Sequence, residues 1–72
     1  MMPRVLYLDG DKIKRARLRR GLTQRALAER SGVAQSTISA LEKRRINERF
    51  YPSTVTRLAE TLEVDPDELL SD

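Results

Sequence analysis

Two helix-forming runs, TQRALAERS at 23–31 and AQSTISALEK at 34–43, are joined through Gly32 and Val33 alone, and no other feature narrows the fold so much. Helices joined by so short a turn cannot lie antiparallel; they cross at a steep angle. Thr23 is placed to cap the first run, and Leu22 is spaced to pack on Leu27 across that cap as a hydrophobic staple. Gly32 stands just past its end, where a left-handed residue is wanted. In the second run Ile38 and Leu41 share one side with Val33. Gln35, Ser36, Ser39, Ala40 and Lys43 then fall on the other side, the last four following the i, i+3, i+4, i+7 rule.

The flanking segments add short elements. RVLYL at 4–8 is β-prone, DGD breaks it, and Asp9 or Asp11 can cap a helix reaching to about Arg20, with Ile13 and Ala16 inward and Gly21 as its stop. RRINERFY at 44–51 is irregular and reads as a loop. PSTVTRLAETLEV resumes helical spacing, with Val55, Leu58, Ala59 and Leu62 on one side and Ser53 as N-cap after Pro52. DPDELL carries the marks of a last short helix: Asp65 as cap, Pro66 at the first position and Glu68 to complete a capping box. The expected fold is all-α, five short helices with a short N-terminal strand. It forms a single domain over 1–72, in which 1–9 is the strand or extension and about 23–43 the two-helix unit.

Charge and composition sort the functions open to such a domain. Between Lys12 and Arg49 stand 12 Lys and Arg against three acids, whereas from Ser53 onward one Arg faces six acids. The basic section can attract a polyanion and the acidic tail cannot. With no cysteine and no histidine the chain lacks disulfides, the usual zinc ligands and the commonest general base. No grouping of nucleophile, base and oxyanion donors can be proposed, so neither an enzyme nor a metal or cofactor site is expected. No apolar run approaches the roughly 20 residues of a membrane span, and the N-terminal run is too short and too acidic for a signal peptide. A cytoplasmic protein without membrane contact is expected.

Ser and Thr are mediocre helix formers, so helix stability did not choose the polar side of 34–43. Short side chains let a backbone approach another surface, and the major groove of B-DNA admits an α-helix. Gln can read adenine at N6 and N7, Ser can donate or accept, and an Ala methyl can pack on the thymine methyl.

TQRALAERSGVAQSTISALEK resembles the helix-turn-helix of the phage repressor and Cro family, also called the XRE type. The match includes Gln24, Ala28, Gly32, Ile38 and Leu41, and with the flanking helices it covers about residues 11–70. The resemblance implies that Gln35 reads a base, that Gln24 meets a phosphate and braces Gln35, and that Ser36, Ser39 and Ala40 face base edges. Thr37, Lys43, Arg45 and Arg49 are assigned to phosphates, and Arg17 and Glu42 to an ion pair beneath the motif. Three departures stand out. Ala34 replaces the usual capping Ser or Thr. Arg44 stands where Gly often ends the third helix, so that helix continues or Arg44 turns left-handed. The INERFY connection also runs a residue or two long.

The reading that follows is a sequence-specific DNA-binding regulator of repressor type, acting as a homodimer on an inverted-repeat operator of double-stranded DNA. Its dimer surface is either the final helix around Leu69 and Leu70 or the unpaired strand at 4–8. The alternative is an antitoxin that also controls its own operon, with VLYL or Phe50 and Tyr51 meeting a toxin. An adaptor that has lost DNA binding is a third reading.

Overall fold

The computed structural model describes residues 6–44, 48–50 and 52–71. In chain order these form β1 (Leu6–Leu8), α1 (Gly10–Arg19), α2 (Gln24–Ser31), α3 (Gln35–Arg44), β2 (Glu48–Phe50), α4 (Pro52–Leu62) and a 3-10 helix (Pro66–Leu69). One apolar cluster unites Leu8, Ile13, Leu27, Ile38, Leu41, Leu58 and Leu69, each almost wholly removed from water. Their burial supplies the main favourable term of folding.

Local chemistry sets most helix ends. Asp9 caps α1, its Oδ1 accepting from the backbone N–H groups of Asp11 at 2.9 Å and Lys12 at 3.3 Å. Thr23 caps α2 by accepting from Ala26 N–H at 3.0 Å, and Leu22 and Leu27 are both buried beside it. Gly32 takes φ 78° immediately after α2, a left-handed conformation that L side chains adopt at a cost. α3 starts at Gln35, and the Ala34 carbonyl accepts from Thr37 N–H at 3.0 Å and Ile38 N–H at 3.1 Å. The helix continues through Arg44. At the last turn Asp65 N–H donates to Glu68 Oε2 at 3.0 Å, the Glu half of the capping box.

Four expectations need correction. The stretch at 44–51 is not all loop, because β2 pairs antiparallel with β1 in the register Leu6↔Phe50, Tyr7↔Arg49 and Leu8↔Glu48. Pairing between segments so far apart in the chain has no local signature, so the fold is mostly helical with a two-stranded sheet rather than all-α. The fifth helix is a single 3-10 turn; four residues are too few to repeat the α-helical bond. Ser53 does not cap α4, since the helix already begins at Pro52, whose missing N–H costs nothing at a first helical position.

The fourth correction concerns the strand, which is not unpaired. Its second edge is taken by an antiparallel bridge, Leu8↔Leu70, flanked by Asp9 N–H to the Leu69 carbonyl at 2.9 Å and Ser71 N–H to the Tyr7 carbonyl at 3.0 Å. Leu69, offered above as a dimer contact, has 0% exposure within the fold. Arg4, Val5, Arg45 and Tyr51 lie outside the described residues.

α1 approaches α3 closely at one point: a Cβ on Gly10 would run into the backbone carbonyl of Leu41. Gly10 therefore lets α1 dock against α3 near Glu42.

Candidate nucleic-acid interface

α3 divides cleanly by burial. Ile38, Leu41 and Glu42 face the interior, while Gln35, Ser36, Ala40 and Lys43 are exposed; Thr37 and Ser39 are half-buried at the margin. The exposed residues make a stripe of short side chains with a cation near the C-terminal end, where it also complements the helix dipole. Ser39 sits deeper than the spacing alone implies. Arg49 is placed by its backbone at the centre of β2.

Beneath this stripe α3 is clamped by charge. Arg17 Nε donates to Glu42 Oε2 at 2.9 Å and Nη2 to Oε1 at 2.8 Å, a bidentate pair whose side chains are only 10% and 4% exposed. Arg17 Nη1 also donates to the Leu22 carbonyl at 2.8 Å. The hydrogen bond to Glu42 raises the Arg17 pKa above the guanidinium's ordinary value, against the opposing effect of burial. A planar fork matched to a carboxylate is the strong form of ion pair. It binds α1, the turn ahead of α2 and the last turn of α3 into one unit.

Gln24, half-buried at the first position of α2, donates its Nε2 to Glu42 Oε1 at 3.2 Å. Sequence reasoning missed this bond. A signal for it exists, since a buried carboxylate keeps lone pairs beyond those a single guanidinium fills, and such groups find partners. Lys12, also unforeseen, donates Nζ to the Leu70 carbonyl at 2.8 Å, fastening α1 to the end of the chain's fold. No buried side-chain N or O among the described residues lacks a partner.

The described residues contain no group of three or more His, Cys, Asp or Glu that could hold a metal. Nor is any described helix long and apolar enough to cross a membrane.

Two helices crossing through a glycine turn, the second presenting a polar stripe above a buried ion pair, define a helix-turn-helix protein. The chain belongs to the helix-turn-helix domain family, whose model matches residues 10–71, and is of the repressor and Cro type.

Similar solved structures include the restriction-modification controller protein C.AhdI from Aeromonas hydrophila. It is 30% identical over 85% of this chain and 89% of its own, with a TM-score of 0.73. SinR, a master regulator for biofilm formation solved in complex with DNA, is 30% identical over 85% of this chain and 98% of its own, at 0.77. PhpD, solved with cadmium, is 26% identical over 90% of this chain at 0.74, and the chain spans only 13% of its length. No curated protein sequence matches the chain.

Proposed function

We propose that this chain is a sequence-specific DNA-binding transcriptional regulator, acting as a repressor, that inserts α3 into the major groove. The observation that carries this reading is the exposed stripe Gln35, Ser36, Ala40 and Lys43, backed by a helix face otherwise committed to the core. Gln35 reads a base, Ser36, Ser39 and Ala40 lie against base edges, and Gln24, Thr37, Lys43, Arg45 and Arg49 contact the phosphate backbone. The likeness to SinR, which is solved on DNA, supports the same reading.

One such module touches few bases, so two copies act together on an inverted repeat, with half-site centres about 34 Å apart on one face of the duplex. No observation favours the antitoxin reading. β1, one of the toxin contacts it named, is engaged on both edges inside the monomer.

Selection of bound sites from random duplex DNA tests the proposal. The expected outcome is an enriched inverted repeat. Recovery of unselected sequence, or of none, overturns it.

A further inference from the structure

Glu42 holds two partners at once. Its carboxylate takes the Arg17 guanidinium at 2.8 and 2.9 Å, and its Oε1 also accepts Gln24 Nε2 at 3.2 Å. An ionised carboxylate only accepts hydrogen bonds, so this contact fixes which end of the Gln24 amide faces inward: the NH2 end turns to Glu42. An amide nitrogen carries two hydrogens, and one remains after that bond is made.

The Glu42 charge would repel a phosphate if it stood alone. Arg17 neutralises it, and the pair is shielded in the fold, with side chains 10% and 4% exposed. A long side chain held in place also gives up less rotamer freedom when it binds. Since Gln24 is the first residue of α2, any group it meets also feels the positive end of that helix dipole.

We infer that Glu42, buried and out of reach of DNA, is the positioning residue for Gln24. It anchors the amide so that the second N–H is ready to donate to a backbone phosphate of duplex DNA. The inference rests on the DNA-binding function proposed above and adds a coupling: the ion pair that clamps α3 also sets a phosphate contact at the start of α2.

The test is a double-mutant cycle on the full chain, read as binding to the selected operator duplex and to a scrambled duplex. Gln24→Ala is expected to weaken binding to both by about tenfold. The operator-to-scrambled ratio should not change. The salt dependence should also stay the same, because an uncharged side chain releases no counterion. Arg17→Met with Glu42→Leu replaces the buried pair by apolar groups of similar size, a change such sites often tolerate. In that background Gln24→Ala should change binding by less than about twofold, the anchor being already lost.

The same tenfold loss in both backgrounds overturns the inference and leaves the proposed function standing. A wild-type chain that binds no duplex overturns both. Should the apolar background fail to fold by circular dichroism, side-chain amide relaxation in the wild-type chain decides. A Gln24 amide more rigid than that of exposed Gln35 supports the inference, and equal mobility overturns it.

Discussion

Gly10 and Gln35 show how differently single residues act in this fold. Gly10 touches no ligand, yet its missing Cβ is what lets α1 meet the Leu41 carbonyl. A backbone carbonyl inside α3 cannot swing aside as a side-chain tip can. Gly10→Ala is therefore expected to destabilise by about 1–3 kcal/mol, the usual cost of overpacking. For a chain of this length each kcal/mol lowers Tm by roughly 4–8 °C. An unchanged melting temperature would show that α1 can shift without loss. Gln35 is exposed and contributes little to the core, so Gln35→Ala should leave Tm unaltered. It should instead cost about 1–3 kcal/mol at one base pair of the operator and relax the choice of base there. Equal discrimination by wild type and variant, measured on operators changed one base pair at a time, would remove Gln35 from base reading.

Among the elements, α1 and α4 end in the same way with different residues. In α1, Gly21 N–H donates to the Leu18 carbonyl at 3.0 Å and Leu22 N–H to the Arg17 carbonyl at 3.0 Å. In α4, Glu63 N–H donates to the Glu60 carbonyl at 3.2 Å and Val64 N–H to the Ala59 carbonyl at 3.0 Å. Both are Schellman motifs, which need a left-handed residue. α1 uses Gly21 at φ 67°, but α4 uses Glu63 at φ 57°, where a side chain costs on the order of 1 kcal/mol. Glu63 also pairs with Arg20, but the two side chains are 61% and 45% exposed, and such surface pairs contribute little. Backbone strain outweighs the pair, so Glu63→Gly is expected to raise stability by about 0.5–1 kcal/mol, seen as a higher denaturation midpoint with an unchanged slope. A lower midpoint would assign the larger effect to the ion pair.

Taken as a whole, the molecule is held by contacts between its ends as much as by its helices. β1 lies between β2 and residues 69–71, and Leu8 on it is fully buried. Removing residues 1–8 is thus expected to weaken the fold itself, by at least the 2–5 kcal/mol typical of emptying a buried Leu site. Loss of the cooperative thermal transition would be the sign. A truncated chain that melts as the full one does would mean the strand merely decorates the core. The buried Arg17–Glu42 pair acts on the same scale. Glu42→Ala leaves an uncompensated charge and should cost about 3–5 kcal/mol, comparable with the lower end of a small domain's total stability, about 5 kcal/mol. DNA binding should be lost through unfolding or through loosening of α3, visible as a lowered melting temperature. A melting temperature equal to that of the wild-type chain would contradict that account.

The helix-turn-helix was legible in the sequence because its signals are local. The caps at Asp9 and Thr23, the turn at Gly32 and the inward pair Ile38 and Leu41 all depend on neighbours within a turn or two, where spacing maps directly onto geometry. The exposed stripe on α3 follows from the same periodicity. The pairing of Arg17 with Glu42 came from likeness to a known family, since nothing local links positions so far apart in the chain. Only the tertiary structure decided β2, the second edge of β1, the partial burial of Ser39 and the bond from Gln24 to Glu42. Each depends on how distant segments pack: strand pairing needs a partner rather than a pattern, and the lone pairs left on a buried carboxylate are filled by whichever donor the fold brings within reach.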